Sequence, residues 1–316
     1  MRATTLLTAV LAAGTAWAQY ASVQDRESLR LDRITGTARL WAAVKFFHPY
    51  LAYRDIDWDG ALIEALPKIT AAQDKAAYAA AIGDLLKALN DPVTRIAEPL
   101  KRGPSSGASI TSQTEPDGVL LITIPASGDW NGMAQSLRKL NEQIGAARAV
   151  VFDMRAASPE SEYALSFAGV FARLTSRPVT GPGYRMRFHS GYAPADGFGS
   201  GGYYSGFSVI DGRIVRPDGA SKDVPAVFVV SSNTAIPAAA VALQASGRAR
   251  IVSDGPLTDA AFIPAASIRL PENITVRIRL GELVYADGTT GFTADITAPA
   301  GRALETAVRL AREPEA

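Results

Sequence analysis

The sequence predicts a mixed α/β protein in which a small helical domain precedes a core of parallel strands and helices. Beyond residue 108, short apolar runs alternate with helix-length stretches, the order that builds a mostly parallel α/β layer. Ahead of it, residues 25–95 carry apolar side chains every three or four positions, the spacing of amphipathic helices. The third observation is the stretch Pro225–Gly255, PAVFVVSSNTAIPAAAVALQASGRARIVSDG, a buried strand that turns directly into an Ala-rich helix. A helix start offers unpaired N–H groups and the positive end of its dipole, so such a junction is a common seat for a nucleophile and an oxyanion hole. Here the helix is approached through Ile236 and Pro237, an alkyl side chain and an imino acid without an N–H.

Residues 1–18, MRATTLLTAVLAAGTAWA, combine one Arg, an apolar run and an Ala-Trp-Ala ending. They read as a secretory signal cut before Gln19, too short to span a bilayer. The helical domain is expected over 19–101 and the α/β core over 108–316. In the first, Leu31, Ile34, Ala38, Trp41 and Val44 mark a helix that His48-Pro49 ends, and Asp57 and Asp74 are N-caps of two more. Asn90-Asp91-Pro92 stops the third, and Arg102–Gly107 has the composition of a linker.

In the core, strands are expected at 118–124, 149–154, 226–231 and 249–253. Helices are expected at 130–146, 159–175 and 237–246, with a last one from about Gly301. Thr275–Tyr285 alternates in part and breaks at Ala286-Asp287-Gly288, a hairpin-like turn. Residues 181–207, GPGYRMRFHSGYAPADGFGSGGYYSGF, read as a long irregular loop rich in glycine and aromatics, a form taken by binding loops and by plain surface excursions alike.

Composition excludes several classes. With 32 Lys+Arg against 31 Asp+Glu, and Arg2 lost with the signal, the mature chain has no net charge to draw it to nucleic acid or an anionic membrane. The absence of cysteine removes disulfides, thiolate nucleophiles and Cys-ligated metals. The two histidines, His48 and His189, lack zinc-motif spacing, so neither a metal nor another cofactor is implied. Export without disulfides fits a bacterial periplasmic protein.

Candidate chemistry is sparse. Ser231, Ser232 and Thr234 are the junction's hydroxyl candidates, though satisfying the turn and capping the helix is the stronger reading of Ser232, Asn233 and Thr234. His189 and Ser190 head the Gly/Tyr segment beside Arg187 and are the remaining catalytic candidates. Arg155, with Asp153, ends a buried strand where α/β folds often place site residues, and a structural ion pair is the competing reading. With Arg187, Tyr192, Tyr203 and Thr234, it forms the expected ligand-binding set.

Taken in order along the chain, several segments resemble the S41 peptidases, the tail-specific or C-terminal-processing proteases. LWAAVKFFHPYLAYRDIDWDGAL and LLKALNDPVTRI are similar to the family's helical module. AVVFDMR is similar to its strand ending in Asp-Leu-Arg, and RIRLGELVYADGTTGFTADITA to its closing strands. The resemblance implies a ClpP/crotonase-like core and serine-type peptidase activity. It also implies Thr-Ala-Ser-x-x-Glu at the helix start, where Thr234 and Ala235 match but Ile236 and Ala239 hold the serine and glutamate positions. The expected Lys near Ala261 is missing, and no Lys occurs from Gly247 to Leu283. Ala156-Ala157-Ser158-Pro159 replaces a glycine-rich turn, and Asp91-Pro92-Val93-Thr94 lacks the histidine of Asp-x-His-Thr. Residues 96–117 are too short for a PDZ domain.

The leading expectation is therefore an exported S41-like pseudoenzyme that binds extended peptides or unfolded protein, with Ser/Lys proteolysis lost. An active hydrolase rewired around His189 and Ser232 or Thr234, and a structural or partner-binding protein, are the alternatives.

Overall fold

A computed structural model describes residues 3–97, 109–125, 130–157, 164–190, 204–219, 221–232, 234, 236–257 and 265–313. The chain forms two compact units, one of Met1–Glu98 with Ala265–Arg279, the other of Pro99–Pro264 with Leu280–Ala316. The sequence reading places 265–279 in the second domain. In the structure these residues are strands that complete the hydrophobic core of the first unit.

The first unit holds three helices, α1 (Ala3–Phe47), α2 (Trp58–Ala71) and α3 (Lys75–Lys87). Asp57 and Asp74 cap α2 and α3 as expected, accepting from the N–H groups of Gly60 and Ala77 at 2.8 Å each. A short strand β1 (Arg95–Ile96) follows. It pairs with β12 (Ile274–Arg279), which pairs on its other side with β11 (Ala265–Leu270). Leu40, Val44, Trp58, Ile69, Tyr78 and Leu85 of the helices share one core with Val276 and Ile278 of β12.

A buried polar network in the same unit joins His48, Asp91, Thr94 and Arg279. His48 accepts the Tyr50 N–H on Nδ1, so its Nε2 carries the proton and faces Asp91 Oδ2 at 3.0 Å and Thr94 Oγ1 at 3.1 Å. Arg279 donates to Asp91 Oδ1 from two nitrogens at 3.0 and 2.8 Å, and its backbone N–H donates to Thr94 Oγ1. The side chains of His48, Asp91 and Arg279 are at most 1% exposed. Burial pushes His48 below the usual imidazole range despite the carboxylate beside it. Burial alone would raise Asp91, but hydrogen bonds from His48 and Arg279 hold it well below the usual carboxylate range.

The second unit is built on a six-stranded sheet in the order β14-β10-β9-β4-β3-β2. Its strands are β2 (Thr111–Thr114), β3 (Val119–Thr123), β4 (Ala149–Asp153), β9 (Ala226–Val230), β10 (Ala249–Asp254) and β14 (Ile296–Ala298). All adjacent pairs are parallel except β2 with β3, and β4 and β9 are buried at every position. Helix α4 (Trp130–Ala146) connects β3 to β4, and α5 (Ala238–Ala245) connects β9 to β10. The last helix, α6 (Ala303–Arg312), lays Ala303, Ala307 and Ala311 against Val151, Val227 and Val252. Small side chains at four-residue spacing let the helix approach the sheet closely. Phe152 and Phe228, paired in register, stack at 4.9 Å.

Three expectations need correction. Residues 159–175 are not one helix: 164–167 are helical, Gly169 takes φ 71°, and a 3-10 turn spans Phe171–Leu174, while 158–163 lie outside the described residues. Thr275–Tyr285 is two strands in different sheets, β12 and β13 (Gly281–Val284), although the turn at Ala286-Asp287-Gly288 forms as expected with Gly288 at φ 83°. In the supposed loop 181–207 the described residues form strands, β6 (Gly183–Ser190) pairing antiparallel with β7 (Tyr204–Ile210), beside two short strands β5 (Val179–Thr180) and β8 (Ile214–Val215), while 191–203 lie outside the described residues. In β6 Tyr184, Met186 and Phe188 alternate with Arg185, Arg187 and His189, a two-residue period that the reading of a loop passes over, whereas Gly206 and Ser208 interrupt it in β7.

Replacing Arg279 by Met should leave a carboxylate buried beside a neutral imidazole and destabilise the protein by about 3–5 kcal/mol, read by urea unfolding.

Candidate functional site

In an open α/β sheet, ligands are usually taken outside the C-terminal ends of the parallel strands. At that edge β9 lies between β4 and β10. Asp153 ends β4, Asp254 ends β10, and Arg155 follows Asp153 by two residues. The Arg155 guanidinium grips Asp153 with two bonds, Nε to Oδ1 at 2.9 Å and a terminal nitrogen to Oδ2 at 2.7 Å. Its other arm reaches Asp254 at 3.4 Å, so the side chain links the two strands that flank β9. The Asp153 hydrogen bonds outweigh burial and raise the guanidinium further above its ordinary range, so it stays charged. Asp254 also accepts the Gly301 N–H at 2.6 Å, extending the tie to the start of α6.

The backbone of the same arginine holds the junction after β9. Ser231 Oγ and Thr234 Oγ1 both lie within reach of the Arg155 carbonyl, at 3.3 and 3.4 Å. Thr234 Oγ1 also accepts the Ser231 N–H at 2.8 Å and sits 3.0 Å from Ser231 Oγ. Thr234 is 1% exposed, and its own N–H donates to the Ser231 carbonyl. These bonds form a hydroxyl-closed turn that delivers the chain to α5. Ser232 is exposed.

At the helix start Ile236 is buried, and Pro237 stands at the N-cap in extended conformation with no side-chain cap. The Pro237 carbonyl accepts the N–H groups of Ala240 and Val241 at 2.9 and 3.2 Å, the opening bonds of α5. Ala239, at the position the S41 resemblance gives to glutamate, is buried against the core. At the position implied for the nucleophile there is an alkyl group, and the next residue carries no N–H.

His189 and Ser190 sit at the end of β6. His189 Nδ1 lies 2.8 Å from Ser205 Oγ, its register partner on β7. Arg187 is opposite Phe207 in the same hairpin, and burial lowers its affinity for a proton. Tyr184, another aromatic of the segment 181–207, lies on β6 opposite Ile210. Tyr192 and Tyr203 lie outside the described residues. The structure therefore joins Arg155 to Thr234, and it pairs His189 with a hydroxyl the sequence reading does not single out.

Two residues of these clusters were missed. Asp254 ends its strand as Asp153 does, and that shared position was the available signal. Ser205 could be found only by recognising the hairpin and counting across it from His189. Among the described residues no group of three or more His, Asp or Glu is placed to hold a metal ion. If the turn rests on Thr234, Thr234→Val should strand the Ser231 N–H and cost about 1–3 kcal/mol in urea unfolding, with Thr234→Ser recovering most of it.

No family model and no curated protein matches the chain. Solved structures do. Mature CPAF complexed with lactacystin matches at TM-score 0.57 and 10% identity, covering 90% of this chain and 98% of that one. A candidate peptidase from Parabacteroides merdae matches at 0.55 and 11%, covering 90% and 97%. A lipoprotein from Streptococcus agalactiae matches at 0.53 and 12%, covering 89% and 96%. At these identities the likeness is one of fold, and it extends over nearly the whole of each chain. The mixed α/β architecture with its helical N-terminal region is thus one that solved peptidases share.

Proposed function

We propose that this chain is an exported S41 peptidase-like protein that binds extended peptides without cleaving them by the family's Ser/Lys route. The observation that carries the reading is the junction after β9. Ile236 occupies the implied serine position, Pro237 follows it, and the nearby Thr234 and Ser231 hydroxyls are tied to the Arg155 carbonyl. Acyl transfer needs an activated nucleophile and donors aimed at the developing oxyanion. Losing one such donor alone costs about 2.7–4 kcal/mol of transition-state stabilisation.

Peptide binding is supported by the peptidase-like fold, and it asks less of the site than catalysis does. Extended peptides are held by backbone pairing and side-chain contacts, neither of which requires a nucleophile. Arg155 and Arg187, with Tyr192, Tyr203 and Thr234, are the proposed ligand-binding set. Export follows from residues 1–18 acting as a cleaved signal, with the bacterial periplasm as destination. No helix among the described residues is long and apolar enough to cross a membrane.

A second reading, a rewired hydrolase, is favoured by one observation. His189 and Ser205 are at hydrogen-bond distance, the geometry in which an imidazole can activate a hydroxyl. A purely structural role is the third.

The readings separate on a pool of unstructured peptides incubated with pure protein starting at Gln19. Saturable binding with every peptide mass unchanged is the expected result. Cleavage abolished by both His189→Ala and Ser205→Ala would replace this reading with the rewired hydrolase, and absence of binding would leave the structural role.

A further inference from the structure

The three-stranded sheet of the first unit, in the order β1-β12-β11, has two unlike faces. Ile274, Val276 and Ile278 of β12 pack into the apolar core beside the helices. The alternate residues Thr275, Arg277 and Arg279 therefore belong to its other face. There the register sets Arg277 directly opposite Arg95 of β1, with Ser267 of β11 on its other side. Like charges facing each other across a ladder destabilise a sheet unless an anion offsets them.

The positive charge extends beyond this pair. Burial first, then Arg95 and Arg279, lower Arg277 from the usual guanidinium range, and Asp91 is the carboxylate acting against them. Arg279 lies over the Tyr50 ring at 4.9 Å, and Arg54 lies over the same ring at 3.3 Å. Four guanidinium groups thus form one contiguous cluster with a single carboxylate, Asp91, whose Oδ1 already accepts two bonds from Arg279. Arg54 and Arg95 are exposed, and among the described residues neither forms an ion pair.

We propose that this face of the first unit binds the acidic side chains of a peptide, with Arg54 and Arg95 taking carboxylates and the half-buried Arg277 adding its charge beside Arg95. Guanidinium groups recognise carboxylates through paired N–H donors, and Arg279 already holds one here, that of Asp91, with two nitrogens. Arg54 follows the 3-10 turn Pro49–Ala52 whereas Arg95 belongs to β1. Exposed charges on separate elements suit several carboxylates of one segment better than a single terminal group. The mature chain has no net charge, so the attraction is local to this cluster rather than a property of the whole surface. The ligand-binding set proposed above belongs entirely to the second unit, so this site stands or falls independently of that reading.

The test compares two N-acetylated, C-amidated peptides of equal length by fluorescence anisotropy on the chain from Gln19, one Glu-rich and the other carrying Gln at every Glu. The Glu peptide is expected to bind about tenfold more tightly at low salt, with the preference shrinking as salt is raised. Arg54→Gln and Arg95→Gln should each reduce the preference several-fold with the thermal midpoint unchanged, since both side chains are exposed. Arg309→Gln, in the second unit, should leave it as it is. Equal affinity for the two peptides overturns the proposal. So does a preference that survives Arg54→Gln and Arg95→Gln combined, or one that Arg309→Gln lowers as much. Binding of polyphosphate or of anionic lipid vesicles in place of the Glu peptide also overturns it.

Discussion

The guanidinium of Arg155 lies between Asp153 and Asp254, carboxylates that end the two strands flanking β9. Its backbone carbonyl receives the hydroxyls of the turn that follows β9. One residue thus sets both the spacing of the strand ends and the path of the chain into α5. Its charge is matched by two carboxylates, one of which also anchors the start of α6. The crevice in which an α/β sheet ordinarily takes its ligand begins, in this chain, with an ion-paired floor.

That arrangement gives the departures from the S41 pattern a physical sense. A nucleophile at a helix start needs a free hydroxyl and outward-facing N–H groups. Here the hydroxyls close a turn, the helix begins on a proline, and the alkyl group of Ile236 is drawn into the core. Asp91 and Thr94, which match two positions of the resembled motif, have a comparable explanation. Both bind Arg279 and His48, and Arg279 comes from a strand that is distant in sequence but completes the same core. Residues that resemble a catalytic motif here serve a buried ion pair, in which removing one partner would strand the other's charge.

Much of this was legible in the sequence. The capping aspartates, the buried runs of β4 and β9 and the Ala-rich α5 announce themselves through local chemistry that tertiary structure did not overrule. The hairpin was missed because Gly206 and Ser208 interrupt the apolar face that Tyr184, Met186 and Phe188 share with Tyr204 and Ile210, a face that emerges only once the two strands are set in register. The assignment of 265–279 to the first unit was hidden for another reason. Which helices a strand will pack against is decided by contacts distant in sequence, and periodicity does not carry them. The Asp254 arm of the arginine bridge and the Ser205 partner of His189 likewise depend on strand order and register rather than on spacing along the chain.

The central claim is that the fold is present without an activated hydroxyl. It is tested most directly by treating the wild-type protein with a fluorophosphonate that labels activated serines and measuring its intact mass. The account predicts an unmodified chain under conditions that fully label a serine peptidase control. A stoichiometric adduct mapped to Ser232, Thr234, Ser205 or any other hydroxyl would contradict it.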